Sequence, residues 1–217
     1  MYNLVVKRFF DFLIALILLP FLLIVMFFVA IAIKIDDHGP VFYCAKRIGR
    51  KGKLFKMVKF RSMKVNAPDI RLADGSTYNG ADDPRVTKVG GFLRRTSIDE
   101  LPQILNVLVG HMSFIGPRPD PEDWLERYAE DEKIFLRVRP GITGYNQAYF
   151  RNGADGKQKI INDVYYAKNC TLWMDIKVVF KTIAMVLKRE KTFKDTSDEV
   201  EAIDAVNVLR NQEKESA

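Results

Sequence analysis

The stretch RRTSIDELPQILNVLVGHMSFIGPRP, residues 94–119, contains both the helix signal and the charged groups that organise the chain. Leu101, Ile104, Leu105 and Leu108 recur at i, i+3, i+4 and i+7, which is one apolar face of an amphipathic helix. Two adjacent carboxylates, Asp99 and Glu100, stand at the start of that helix, after Arg94 and Arg95. Beyond it, Gly116-Pro117-Arg118-Pro119 presents another arginine on a backbone that the prolines stiffen.

Ser97-Ile98-Asp99-Glu100 fits a capping box, in which Ser97 caps the helix and Glu100 reaches back to the Ser97 N–H. Acidic residues in a first turn also offset the helix dipole. Pro102 conflicts with that reading. With Ser97 as cap, the proline lies past the unpaired N–H groups, where it deletes a helical bond and clashes with the preceding turn. The helix is therefore expected to begin near Asp99. A helix N-terminus flanked by Arg94, Arg95 and Arg118 suits a phosphate group. An acidic pair inside such a site makes sense where a metal or a reacting phosphoryl group is present.

The 217 residues carry a net charge of +7 and are 48% hydrophobic, which points to one compact domain plus a membrane element. Cys44 and Cys170 form no CxxC motif and read as free thiols in a reducing, cytosol-facing setting. With only His38 and His111, zinc sites built on histidine spacing are disfavoured.

Residues 12–33 carry no charge, and as a straight helix would extend about 33 Å, enough to cross a bilayer core. No small-residue cleavage site follows, so the run does not read as a signal peptide. Pro20 interrupts it, and basic residues flank it on both sides: Lys7 and Arg8 before, Lys34 and the 46–64 cluster after. Positive flanks mark cytoplasmic ends, so the residues allow a single spanning helix or a re-entrant hairpin.

Residues 41–63 predict a small β-hairpin around Gly49 and Gly52, densely basic from Lys46 to Lys64. That charge suits an anionic leaflet and is not taken as a nucleic-acid surface. The Gly49–Lys53 spacing is too short for a Walker loop. Residues 65–90, rich in Gly, Pro, Asp and Asn, predict a long surface loop that could cover the site. A polar, solvated helix is expected over 120–137, and a rigid turn over Arg139-Pro140-Gly141-Ile142-Thr143-Gly144. Residues 172–189 place Trp173, Ile176, Phe180, Ile183 and Leu187 on one face, with Lys177, Lys181 and Lys188 elsewhere. This basic amphipathic helix can pack on a core or lie in a membrane interface. Past Thr192 the chain turns polar and acidic.

Together with residues 83–119, the runs KRFFD at 7–11, VKFRSM at 58–63, RPGITG at 139–144 and DVYYAKN at 163–169 carry a resemblance. They resemble the small monotopic phosphoglycosyl transferases of the bacterial sugar transferase family, in the expected order over about residues 7–189. Family members move a sugar-1-phosphate from a nucleotide sugar, usually UDP-linked, to undecaprenyl phosphate. The resemblance implies Asp99 as nucleophile, forming a phosphoglycosyl-aspartate and releasing UMP, with Glu100 catalytic and binding Mg²⁺. It implies Lys59, Arg94, Arg118, Arg139, Gln147 and Arg151 as substrate-binding residues. The implied fold is α+β and helix-rich. A re-entrant membrane helix-break-helix occupies 1–35, a small cytosolic globular domain with interfacial amphipathic helices 36–191, and a polar tail 192–217. The implied location is the cytoplasmic face of the bacterial inner membrane. The chain departs from the family pattern at Leu19-Pro20 (usually Ser-Pro), Ala45 (often Gln), His111 (usually Asp), Tyr145 (usually Trp) and Ala148-Tyr149-Phe150. A membrane-anchored scaffold would share the anchor and the basic patch but would have no need for Asp99-Glu100. The identity of the sugar is not legible, and the oligomeric state is open, a homodimer included.

Overall fold

The structure, a computed structural model, describes residues 2–71, 78, 80, 83–150 and 156–187. Arg151, Lys188, the side chain of Leu187 and the polar tail lie outside the described residues. The fold is mixed α and β, rich in helix, around a long apolar N-terminal helix, α1 (Lys7–Asp37). Among the described residues it is the one helix long and apolar enough to cross a membrane, and only 11% of its apolar window is buried. That exposure separates it from the core helix of a soluble domain.

Pro20 does not divide α1 into two helices. The proline faces outward and forfeits one backbone bond, while no Gly, Ser or Asn between Lys7 and Ile33 offers another backbone course. The expected helix-break-helix is therefore a continuous helix in its secondary structure. One stripe of α1 is buried: Lys7, Asp11, Ala15, Leu22 and Ile33. Ala15 and Leu22 pack with Phe55, Met57, Ile104, Val107 and Met112, and Ile33 packs with Phe60 and Leu93. The globular part thus lies along nearly the whole helix.

β1 (Phe42–Ile48) and β2 (Leu54–Phe60) form the predicted antiparallel hairpin, Phe42 opposite Phe60 and Ile48 opposite Leu54. The connection needs left-handed backbone at Lys51 and Gly52, for which glycine is suited. α2 (Lys88–Thr96) follows, its first turn capped by Thr87, which accepts from the Gly90 N–H at 2.9 Å. A Cβ at Gly90 would collide with the Ser62 carbonyl, so glycine lets α2 lie directly on the end of the hairpin.

The capping box does not form. Ser97 has left-handed backbone and closes α2, its N–H reaching the Leu93 and Arg94 carbonyls. A 3₁₀ turn, Ile98–Glu100, comes next, and α3 (Gln103–Val109) starts only after Pro102. The proline thereby precedes the first residue needing a helical N–H, which resolves the conflict seen in the sequence. The apolar face of α3 is as read: Ile104 is buried, and Leu101, Leu105 and Leu108 pack against the same cluster as α1.

The loop before α2 is not all surface. Arg85 is buried, bonded to Asp83 (2.7 and 2.9 Å), Pro68 O (2.8 Å) and Tyr78 O (3.2 Å). Residues 72–77, 79, 81 and 82 lie outside the described residues. Residues 120–137 hold two short 3₁₀ turns, Glu122–Trp124 and Glu132–Arg137, where a solvated helix was expected. Trp124, Tyr128 and Phe135 are buried there with Ile48, and side-chain packing overrides the polar pattern. Within the expected turn at 139–144, residues 141–143 form a strand. β3 (Ser113–Ile115) pairs in parallel with β4 (Gly141–Thr143). Cβ atoms at Gly141 or Gly144 would collide with the Gly116 backbone, which explains the glycines in both motifs.

α4 (Tyr145–Phe150), α5 (Gly156–Lys168) and α6 (Leu172–Leu187) complete the fold. Lys7 of α1 meets Asp175 of α6 in a buried ion pair at 2.5 Å, to which the Tyr2 and Tyr166 hydroxyls also donate at 2.6 Å. Removing one partner of such a pair costs about 3–5 kcal/mol, so it ties the two helices firmly.

Candidate active site

Four elements converge on the acidic pair. The 3₁₀ turn carries Asp99 and Glu100, β2 delivers Lys59, the last turn of α2 delivers Arg94, and the segment after β3 delivers Arg118. Asn106 of α3 clips onto the edge of β2, accepting from Val58 N (2.9 Å) and donating to Lys56 O (2.8 Å). This sets the hairpin's height against the 3₁₀ turn and brings Lys59 to Glu100.

Glu100 is held from two sides. Lys59 Nζ donates to Oε1 at 2.9 Å, while Arg118 donates from Nη2 to Oε1 at 2.7 Å and from Nη1 to Oε2 at 3.3 Å. Burial opposes charge on Glu100, yet Arg118 and Lys59 outweigh it and hold its carboxyl well below the usual range. Glu100 holds the Arg118 guanidinium, in turn, above its ordinary value. Lys59 is pushed the other way, since its burial outweighs the pull of Glu100.

Asp99 differs from its neighbour. Among the described residues its carboxylate has no hydrogen bond or ion pair, although Lys59, Arg94 and Arg118 surround it closely enough to act on its charge. Burial pushes its carboxyl upward, Lys59 pulls it down, and Glu100 pushes it up again. One carboxylate is therefore clamped and charged, while the other is uncommitted. Arg94 is oriented by Ser62, donating Nε to Oγ at 2.9 Å, and its burial pushes its own value down.

Arg47 of β1 also reaches this region, where its burial and the nearby Arg118 both disfavour its charge. Its Nε is buried without a partner. Lys59, Arg94 and Arg118 thus surround the two carboxylates, with Arg47 beside Arg118, a set of cations that suits a phosphate-bearing ligand.

Not every predicted residue joins this cluster. Arg139 donates Nε to the Gly110 carbonyl at 3.0 Å, beside Arg8, which donates to Val107 O (2.6 Å) and Leu108 O (2.9 Å). Both arginines thereby satisfy carbonyls at the end of α3. Gln147 lies on α4 with both amide atoms buried and unpartnered. Arg151 lies outside the described residues. His111 is exposed, its ring 5.7 Å from that of Phe55.

The sequence reading missed a second buried network behind Arg118. Lys159 bridges Asp120 (2.7 Å) and Asp163 (2.9 Å), and Tyr128 donates to Asp120 at 2.7 Å. Burial pushes Asp163 up to about 6 despite its lysine. The i,i+4 spacing of Lys159 and Asp163 was a usable signal, whereas Asp120 lies 39 residues away in sequence.

Among the described residues, no three His, Cys, Asp or Glu side chains gather as a metal cage. Asp99 and Glu100 do fit Mg²⁺ in donor type, since that ion takes one or two carboxylates and completes its shell with water and substrate phosphates.

Comparison with known proteins identifies the family. The chain is 44% identical over 168 residues to the "Undecaprenyl-phosphate galactose phosphotransferase" of Salmonella typhimurium, covering 72% of this chain and 35% of that protein. It is 42% identical over 192 residues to the "Exopolysaccharide production protein ExoY" of Sinorhizobium fredii, covering 83% and 84%. It is 39% identical over 191 residues to the "Undecaprenyl-phosphate glucose phosphotransferase" of Komagataeibacter xylinus, covering 82% and 35%. The chain therefore spans well under half the length of several relatives. The profile described as "Bacterial sugar transferase" matches residues 2–189, a span that includes the hairpin, the acidic pair and all six helices, and the chain belongs to that family.

Proposed function

We propose that this chain transfers a sugar-1-phosphate from a UDP-sugar to undecaprenyl phosphate, at the cytoplasmic face of the bacterial inner membrane. The observation that carries this is the division of the acidic pair: Glu100 clamped by Lys59 and Arg118, Asp99 uncommitted among the same cations. The names of the galactose and glucose relatives support the reaction class.

In the first half-reaction an Asp99 carboxylate oxygen attacks the β-phosphorus of the donor. An O–P bond to Asp99 forms, the bond to the bridging oxygen breaks, and UMP leaves with that electron pair. In the second, a phosphate oxygen of undecaprenyl phosphate attacks the same phosphorus and displaces Asp99, leaving a lipid diphosphate-sugar. Lys59, Arg94 and Arg118 offset the phosphate charge that would otherwise repel Asp99. Mg²⁺, held by Glu100 with substrate phosphate oxygens, would supply further charge neutralisation. Gln147 has two unused amide groups that suit a donor sugar or base, and the resemblance brings Arg139 and Arg151 into the same role. Relatives named for galactose, glucose and N-acetylgalactosamine leave the sugar open.

The membrane course is part of this reading. α1 packs on the globular part from Ala15 to Ile33, while Asp36 and Asp37 near its end bind Val89 N and Arg61. An upright crossing would draw the hairpin and α3, with their charges, into hydrocarbon, at several kcal/mol for each unsatisfied polar group. A shallow, re-entrant course with a bend near Pro20 avoids that cost, and it keeps Lys7 and Lys34 on one side. The exposed outer face of α6, with Trp173 and Phe180, suits the interface.

UMP release by detergent-purified full chain, with Mg²⁺, undecaprenyl phosphate and a panel of UDP-sugars, tests the proposal. Lipid-dependent release from one donor, abolished in Asp99→Asn, is expected. Turnover that survives in Asp99→Asn would overturn the covalent mechanism.

A further inference from the structure

α6 turns its larger apolar face outward. Val178 is fully buried, whereas Trp173 is 64% and Phe180 69% exposed. Tyr149 of α4 lies alongside, so that Tyr149, Trp173, Ile176 and Phe180 line a shallow groove. Two ammonium groups stand on its rim. Lys177 Nζ is 5.6 Å from the centroid of Trp173, and Lys181 Nζ is 5.5 Å from that of Tyr149. They are one helical turn apart, and neither meets a carboxylate among the described residues. The acid of α6, Asp175, points inward to Lys7, Tyr2 and Tyr166.

We infer that this groove binds an anionic phospholipid, with its headgroup phosphate between Lys177 and Lys181 and an acyl chain along Trp173 and Phe180. The inference rests on the membrane placement of α6 proposed above and names the ligand that face takes. Charge and polarity are complementary in that order: two unbalanced cations at one edge, aromatic and aliphatic surface beside them. A soluble anion would leave the aromatic surface wet. A second copy meeting this face by two-fold symmetry would bring lysines against lysines. The buried Lys7–Asp175 pair fixes the first turn of α6 to the first residue of α1, so the groove lies level with the start of the apolar helix.

The test uses the full chain in phosphatidylcholine vesicles containing about 10 mol% of brominated phosphatidylglycerol or brominated phosphatidylcholine. Bromine quenches a nearby indole. Trp124 is buried in every sample, and Trp173→Phe identifies the reporting ring. A lysine close to an anionic surface contributes a factor of about five, so the two give roughly a 25-fold preference for the anionic quencher. Lys177→Gln with Lys181→Gln should bring quenching by the two lipids to parity while leaving quenching by the neutral one. Equal quenching in the unaltered chain, or a preference that survives in the double variant, overturns the site. Displacement of brominated phosphatidylglycerol by stoichiometric undecaprenyl phosphate would assign the groove to the acceptor and also overturn it. No quenching by either lipid would remove α6 from the membrane as well, while the UMP assay judges the transferase reading separately.

Discussion

Replacing Lys59 by methionine separates electrostatics from architecture at the acidic pair. The side chain is 16% exposed and donates to Glu100 Oε1, which Arg118 also holds. Glu100 therefore keeps both bonds to Arg118, and the folding cost is that of one charged hydrogen bond, about 1.5–3 kcal/mol, offset in part by the buried methionine stem. The catalytic cost is larger. Removing one preorganised donor from a developing phosphate charge lowers kcat by about 10²–10³. A second effect has a defined sign. Lys59 pulls the Asp99 carboxyl down, against burial, so its loss raises the pH at which Asp99 ionises. The acid limb of kcat/KM must then move to higher pH. The assay is UMP release across pH, beside urea unfolding of the same preparation, with Lys59→Arg as the charge-conserving control. An unmoved acid limb, or one displaced to lower pH, would refute the placement of Lys59 as the cation acting on Asp99. Equal loss of activity and of folded protein would refute its role in the chemistry.

Other expectations follow from single contacts. In the proposed mechanism Asp99 attacks in its ionised form, and burial raises its value, so UMP release by the unaltered chain should fall toward acid pH before the protein unfolds, as activity and circular dichroism on one series will show. Gly90→Ala forces α2 off the Ser62 carbonyl, and should cost about 3 kcal/mol in chemical denaturation while weakening donor binding through displaced Arg94. Lys159→Met leaves Asp120 and Asp163 buried without their cation, and should lower stability by about 3–5 kcal/mol, measured by thermal unfolding. Chelation by EDTA should stop UMP release and added Mg²⁺ should restore it, with unchanged secondary structure.

What the sequence determined by itself was local. The apolar face of α3, the β-hairpin, the long apolar helix and the adjacent carboxylates were legible because helix and strand periodicity and hydrophobic run length depend only on near neighbours. The family motifs implied the roles. The same local rules offered a capping box at residues 97–100, which Pro102 opposed, and started the helix near Asp99; Ser97 instead ends α2 in left-handed backbone and α3 begins at Gln103. They misread 120–137 as a solvated helix, because burial of Trp124, Tyr128 and Phe135 outweighs helix propensity. Only the tertiary structure decided which carboxylate is clamped. Glu100 is reached by Lys59 across 41 residues and by Arg118 across 18, and no periodicity records such pairs. It also decided that α6 hides Val178 and Asp175 while exposing Trp173 and Phe180. A helix with apolar residues on more than one side can bury either, and here the buried Lys7–Asp175 pair and the Tyr166 hydroxyl select the side that faces inward.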